Sequence, residues 1–152
     1  MINSKKIILL AGDPNSINSE IIFKSWNKLS SNLKKKVYII GNLKLLKKQF
    51  NLLNTRIVAK EVKHLNENTE ITNLKIINVD LNFKNPFKVS KKEASKYVLK
   101  SLILGHKLAI RKDVKGIINC AISKELLLKK NTGVTEFLAK RCKIIKNSEV
   151  MM

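Results

Sequence analysis

Short apolar runs alternate with longer amphipathic segments along this chain, and this alternation limits the folds open to it. The apolar runs have the length of strands and lie at residues 6–11 (KIILLA), 37–41 (VYIIG), 74–79 (LKIINV) and 116–120 (GIINC), with a weaker one at 56–59 (RIVA). The amphipathic segments have apolar residues at helical spacing and lie at residues 19–29, 43–53 and 90–110. Compact apolar runs are typical of buried parallel strands, and strands that alternate with helices predict βαβ units. We therefore predict an α/β fold, in which helices flank a parallel βαβ sheet.

Cap signals mark where several of these helices begin. Ser90 stands three residues before Glu93, which is the capping-box pattern and predicts the start of the long helix. Asn18 or Ser19 is predicted to cap the first helix, because short polar side chains satisfy free N–H groups there. Two shorter helices are predicted near the end of the sequence, one from Ser123 to Lys129 and one from Thr132 or Gly133 to about Cys142.

Length and composition place the chain in one class of protein. Its 152 residues suit a single α/β domain over residues 1–152, and no apolar run approaches the roughly 20 residues of a membrane helix. Cys120 and Cys142 do not make a disulfide framework, which favours a reducing, cytoplasmic protein. Because His64 and His106 have no second ligand at metal-binding spacing, we predict no metal site within this chain.

The net charge of +20 raises the hypothesis of a nucleic-acid-binding module. Only three basic residues are arginines, namely Arg56, Arg111 and Arg141, so the other 28 of the 31 are lysines. The lysines are spread over the whole chain and aromatic residues are few, whereas binding sites concentrate arginine and stacking side chains. We therefore favour compositional drift of the genome and do not expect nucleic acid as a partner.

Three segments lie where α/β proteins place ligands, after strands and at helix starts. They are residues 12–20 (GDPNSINSE), 119–124 (NCAISK) and 132–136 (TGVTE). Backbone N–H groups in the first suit an anion, although the segment is not a Walker loop. Lys124 in the second suits a phosphate or carboxylate, and a threonine hydroxyl in the third suits an anion or a hydroxyl group. The ordinary interpretations are a capped turn, a solvated lysine and a helix cap, and the residues alone leave both readings open.

Taken in order, these segments resemble the 4-hydroxythreonine-4-phosphate dehydrogenase family of pyridoxal phosphate biosynthesis. The family's opening Gly-Asp-Pro-Ala-Gly-Ile-Gly-Pro-Glu type motif is matched by Gly12, Asp13, Pro14, Ile17 and Glu20. Its Thr-Ala-Pro-Ile-Asn-Lys type motif is matched by Ile122 and Lys124. Its Gly-His-Thr-Glu-Phe-Leu type motif is matched by Gly133, Thr135, Glu136, Phe137 and Leu138, and its Val-Met-Met-Leu type strand by Val150, Met151 and Met152. The resemblance covers essentially the whole chain but only about the first half of a family member.

The resemblance implies few site residues in this chain. Thr135 takes a substrate-contact position, Val134 stands where the family has a substrate-binding histidine, and Lys124 is the motif lysine. The first motif also lacks the family's paired glycines. The family's metal-binding histidines and much of its NAD-binding region lie downstream of Met152, so we expect no metal ligand here.

The activity implied by the resemblance is NAD-dependent oxidation, with decarboxylation, of 4-phosphooxy-threonine. The implied cofactors are NAD and a divalent metal, and the implied assembly is a homodimer of two-domain subunits similar to isocitrate and isopropylmalate dehydrogenases. We expect the chain to be the N-terminal part of such an enzyme, inactive alone and with an unpaired sheet edge. The alternative hypothesis is a non-catalytic remnant or a small-molecule-binding domain.

Overall fold

A five-stranded parallel sheet forms the centre of the computed structural model, which describes residues 5–67, 69–127 and 133–143. The strands are β1 (Lys6–Leu10), β2 (Val37–Gly41), β3 (Ala59–Glu61), β4 (Leu74–Asn78) and β5 (Val114–Asn119). The helices are α1 (Asn18–Lys28), α2 (Ser31–Lys36), α3 (Leu43–Leu52), α4 (Lys91–Ala109) and α5 (Val134–Arg141), with a 3₁₀ turn at Lys124–Leu126. The strand order is β3-β4-β2-β1-β5 and every pairing is parallel. The predicted α/β fold is confirmed.

Helices cover both faces of the sheet and divide the apolar interior into two clusters. On one face, Ile22 and Trp26 of α1 and Phe50 of α3 pack against alternate strand residues. On the other face, Tyr97 and Leu102 of α4 pack against the strand residues that point to that side of the sheet, together with the other inward-facing residues of α4. Because each central strand is buried on both faces, its sequence is apolar without alternation.

The predicted N-cap residue is correct for α4 and wrong for α1. The Ser90 side chain accepts a hydrogen bond from the Glu93 N–H at 3.3 Å, as the capping pattern predicts. The prediction that Asn18 or Ser19 caps α1 is wrong. Ile17 is the N-cap, without a side-chain hydrogen bond, and both polar residues lie inside the helix with buried side chains. Asn18 is buried because its side chain reaches back to the end of β1, where it donates to the Ala11 carbonyl.

Two strands differ from their predicted form. The short strand expected at residues 56–59 forms at Ala59–Glu61 instead, where pairing with β4 sets its position. β5 is predicted as a fully buried strand, but Ile118 is 56% exposed and only Val114 is buried. The reason is that, among the described residues, β5 pairs with β1 alone and forms an edge of the sheet. The strand predicted to begin at residues 150–152, to which the expectation of an unpaired edge refers, lies outside the described residues.

The strand order places a topological switch point between β1 and β5. After β1, the strands β2, β3 and β4 are all added on one side of β1. The chain then crosses back through α4, and β5 is added on the other side of β1. In open α/β sheets, ligands bind outside the carboxyl ends of the strands at such a point. Within the described residues, no helix is long and apolar enough to span a membrane.

Candidate functional site

The loops that follow β1 and β5 meet at the switch point. The Asp13 N–H donates to the Ala121 carbonyl at 3.0 Å. Asn18, at the start of α1, donates from Nδ2 to the Ala11 carbonyl at 3.0 Å and to the Ala121 carbonyl at 2.8 Å. The first two predicted segments, which lie about one hundred residues apart in the sequence, therefore form one structure. The sequence singled out both segments but did not predict their contact.

Gly12 is the point of closest approach between these loops. Its φ of +77° lies in the left-handed region, which residues with a Cβ rarely adopt. A Cβ added there would lie 2.6 Å from the Ala121 carbonyl oxygen and 2.6 Å from Asn18 Nδ2. The glycine of the Gly-Asp-Pro sequence is thus required by both its backbone conformation and its packing.

Two amide side chains fix the other side of the first loop. Asn15 and the backbone of Val89 exchange two hydrogen bonds, of 2.9 and 2.7 Å, which join the loop to the segment before α4. The buried Gln49 of α3 donates to the carbonyls of Pro14 at 2.9 Å and Pro86 at 2.7 Å. The loop is consequently held from three directions, and its backbone is preorganised before any ligand arrives.

Asparagines also follow β2 and form the end of β4. Asn42 caps α3 by accepting from the Leu45 N–H at 2.8 Å, and it donates to the Val79 carbonyl at 2.9 Å. The Asn78 side chain accepts from the Leu43 N–H at 2.9 Å. Amide side chains, which both donate and accept, therefore lock the carboxyl edge of the sheet from β4 to β5. This role was not predicted from the sequence, where the only signal was an asparagine at a strand end.

A cavity of about 450 Å³ lies beside this edge, at the start of α4. Its lining includes Lys84, Lys88 and Ser90, the N-cap residue of α4. Val89, between two of these residues, is the partner of Asn15. The positive end of a 19-residue helix and two ammonium groups thus lie next to the first loop, an arrangement that suits an anion.

The second segment is docked on the first turns of α4. Lys91 Nζ lies 2.8 Å from Glu125 Oε2, and the hydrogen bond and charge of Lys91 hold the pKa of that carboxyl below its usual value. Ser95, one turn further along α4, donates to the Leu126 carbonyl at 2.6 Å. Ser123 caps the following turn by accepting from the Glu125 N–H at 3.4 Å, but the turn is a 3₁₀ turn rather than the predicted α-helix.

The three site residues predicted from the sequence, Lys124, Val134 and Thr135, are not joined by hydrogen bonds or ion pairs within the described part of the chain. Lys124 is exposed at the start of the 3₁₀ turn. Thr135 is exposed in the first turn of α5, whereas Val134 beside it is half-buried and packs against the core cluster under α4. Gly133, one of the two predicted helix starts, is the N-cap of α5, and Thr132 lies outside the described residues.

Two buried polar atoms at the start of α1 have no hydrogen-bond partner among the described residues. They are Asn18 Oδ1, an acceptor, and Ser19 Oγ, which both donates and accepts. Buried polar groups are almost always paired, so each of these atoms has unused capacity for a water molecule or a ligand atom. They lie at the switch point, where the fold places ligands.

The described residues do not provide a metal site. They contain no cluster of three histidine, cysteine or acidic side chains that could hold an ion. His106 Nε2 lies 3.4 Å from Cys142 Sγ, which makes a pair of potential ligands and no more. Cys120 packs against the core, and burial raises the pKa of its thiol, so it behaves as an apolar residue.

Comparisons with known proteins agree with the motifs at this edge. The family model of the pyridoxal phosphate biosynthetic protein PdxA matches residues 32–152. A 4-hydroxythreonine-4-phosphate dehydrogenase of Sulfurihydrogenibium sp. (strain YO3AOP1) is 31% identical over 140 residues, which span 88% of this chain and 42% of the relative.

Solved structures show the same fold. A 4-hydroxythreonine-4-phosphate dehydrogenase from Burkholderia phymatum superposes with a TM-score of 0.81 at 21% identity, over 93% of this chain and 44% of the other. The enzyme of that name from Klebsiella pneumoniae gives a TM-score of 0.69 at 24% identity, over 81% of this chain and 39% of the other. The chain thus spans less than half the length of the relatives it matches. Because the family model covers most of it, the chain belongs to the PdxA family of pyridoxal phosphate biosynthetic proteins.

Proposed function

We propose that this chain supplies one side of the site of an NAD-dependent dehydrogenase that oxidises and decarboxylates 4-phosphooxy-threonine. The observation that carries the proposal is the meeting of the Gly12–Asp13 loop with the segment around Ala121 at the β1/β5 switch point. Membership of the PdxA family and the name of the 31% identical relative support the substrate and the reaction class.

The carboxyl edge offers groups for an anionic, hydroxyl-bearing ligand. In the proposal, Lys124 and the cavity lysine Lys88 attract the phosphate group, and the start of α4 supplies backbone N–H donors. Thr135 donates a hydroxyl hydrogen bond to the substrate from the first turn of α5.

NAD, when bound, accepts the hydride from the substrate carbon. In the proposal, the N-terminus of α1 faces an anionic part of the dinucleotide. The described residues contain no cluster of histidine, cysteine or acidic side chains that fits a divalent metal. The proposal therefore assigns no step of the reaction to a metal held by this chain. The role of the described residues is to bind and orient the substrate, a contribution that can be large when the reacting groups are held in line.

A non-catalytic small-molecule-binding domain is the second candidate. Val134 favours it, because an apolar side chain that packs into the core stands where the family has a histidine. This domain would keep the anion-binding edge but would not depend on the particular substrate of the dehydrogenase. A homodimer and a cytoplasmic location remain predictions under both functions.

Calorimetric titration of the chain with 4-phosphooxy-threonine and with threonine tests the dehydrogenase proposal. The dehydrogenase proposal predicts binding that weakens at least about tenfold without the phosphate, since a charge-assisted contact contributes roughly 1.5–3 kcal/mol. Lys124→Gln and Thr135→Val should each weaken it further, whereas Lys28→Gln, at the far end of α1, should not. Equal affinity for both ligands, or equal effects of all three variants, would contradict the proposal. NADH production by the chain with NAD and substrate would exclude the non-catalytic alternative.

A further inference from the structure

Lys75 lies near the amino end of β4, in a strand position that faces the core. The amino ends of the parallel strands form the amino edge of the sheet, which is opposite the candidate site. It is the second residue of β4, and only 6% of it is exposed. The strand register sets Ile39 beside Ile76, so Lys75 lies beside Tyr38 on the face that α4 covers. Lysine is almost never buried in this way without a partner charge, which makes the position informative.

The Lys75 ammonium is held by neutral groups. Its Nζ donates to the Lys35 carbonyl at 2.6 Å and lies 4.2 Å from the centroid of the Tyr38 ring. No carboxylate lies within ion-pair distance of it among the described side chains. Burial, with a smaller contribution from the charge of Lys6, lowers the pKa of Lys75 to about 8.

This amine borders a cavity of about 380 Å³. The charged and titratable groups that face the cavity come from several elements: Lys6 of β1, Lys35 of α2, Tyr38 of β2, Glu67 and Glu70 of the preceding loop, and Lys75 itself. Glu67 Oε2 already accepts a hydrogen bond from the Lys63 N–H at 2.7 Å. The cavity therefore combines a buried amine, charged groups of both signs and room for a small molecule.

We propose that Lys75 is a reactive amine that condenses with the carbonyl group of a small aldehyde or oxo acid entering this amino-edge cavity. The nitrogen lone pair attacks the carbonyl carbon and a C–N bond forms. The nitrogen then loses its protons, the carbon–oxygen bond breaks, and the oxygen leaves as water, so amine and carbonyl give an imine without any oxidant or reductant. The Lys6 ammonium, whose charge acts on Lys75, offers one opposite charge to a compound that carries a carboxylate, beside the Glu67 and Glu70 carboxylates of the same lining.

The reaction requires the neutral amine, which Lys75 supplies far more often than an ordinary lysine. At about pH 7.5, roughly a quarter of the Lys75 side chains are neutral, compared with about one in a thousand for a lysine of unperturbed pKa. The folded pKa is lowered, so this reactivity is present above about pH 8 and is lost as the pH falls through that value. The site lies at the sheet edge opposite the proposed dehydrogenase site and does not depend on that function.

Glyoxylate with cyanoborohydride, which reduces the imine to a stable secondary amine, tests the proposal on the full 152-residue chain. Peptide mass spectrometry then reports the labelling rate of every lysine, so the other 27 serve as internal controls. We expect Lys75 to be labelled at least about tenfold faster than the median lysine near neutral pH, with a midpoint near pH 8. Unfolding in urea should abolish the difference.

Two variants test the physical basis. Lys6→Gln removes a neighbouring positive charge and should move the Lys75 midpoint to higher pH, whereas Lys47→Gln on the exposed side of α3 should leave it unchanged. Labelling that follows exposure, with Lys75 at or below the median, would overturn the proposal. The proposal would also be overturned if the pH midpoint of Lys75 labelling lay near that of the exposed lysines.

Discussion

Replacing Gly12 with alanine tests the contact on which the candidate site depends. An alanine at a φ of +77° costs about 1–2 kcal/mol, because its Cβ approaches the backbone. The new Cβ would also lie 2.6 Å from the Ala121 carbonyl oxygen, which is backbone and cannot rotate away. Such overpacking costs about 1–3 kcal/mol. We therefore expect Gly12→Ala to lower the free energy of unfolding by about 2–5 kcal/mol.

Other glycines of the chain provide matched controls. A Cβ at Gly116 meets no atom within 4 Å, so Gly116→Ala should change the stability by less than about 0.5 kcal/mol. A Cβ at Gly105 lies 2.7 Å from Ile117 Cδ1 and 2.9 Å from Leu10 Cδ2, which are side-chain ends and not backbone, and alanine favours the helix there. Gly105→Ala should consequently fall between the other two.

Urea unfolding followed by the fluorescence of the single tryptophan measures all three variants. Trp26 is buried on α1, the helix that follows the Gly12 loop, so its emission reports the loss of packing there. The order of destabilisation should be Gly12, then Gly105, then Gly116. A Gly12→Ala protein as stable as the parent chain, or no more affected than Gly116→Ala, would refute the described loop contact.

Three further predictions concern single side chains. Asn18→Asp sets a carboxylate against two carbonyl oxygens, which raises its folded pKa. Urea unfolding should show a loss of about 1 kcal/mol below about pH 4, where the acid has one O–H donor for two carbonyls, and a further loss of about 2–4 kcal/mol as the pH rises through the folded pKa. Ser90→Ala removes the α4 cap and should cost about 1 kcal/mol in thermal unfolding, whereas Lys92→Ala on the exposed side of the first turn should cost little. Iodoacetamide should alkylate the exposed Cys142 much faster than Cys120, because burial raises the pKa of the Cys120 thiol; equal rates would contradict its placement.

The sequence predicted the elements of this fold well because the central strands are buried on both faces. Residues 37–41 and 74–79 are mostly apolar for that reason, and β2 and β4 formed within a residue of the predicted bounds. The burial of residues 116–120 was predicted less well. Their apolar character predicted a buried strand, but burial depends on which strands pair on either side, and that information lies elsewhere in the chain.

The loops of the candidate site were predicted from the sequence, but the hydrogen bonds that join them were not. The loops at residues 12–20 and 119–124 were singled out because each follows a strand, and they do meet. The amides that hold them were missed, since Asn15 and Gln49 find partners 74 and 35 residues away. Asn18 looked like a helix cap because local spacing shows only nearby N–H groups, whereas its real partners are carbonyls of the sheet edge.

The most direct test of the account is to follow the amide chemical shifts of the chain during a titration with 4-phosphooxy-threonine. We predict saturable shifts in residues 12–19 and 119–125, the two loops that meet at the β1/β5 switch point, and around Thr135. Residues at the amino edge, such as Tyr38 and Lys75, should not respond. Shifts confined to that edge, or no shifts up to about 10 mM ligand, would contradict the claim that the carboxyl edge forms part of the substrate site.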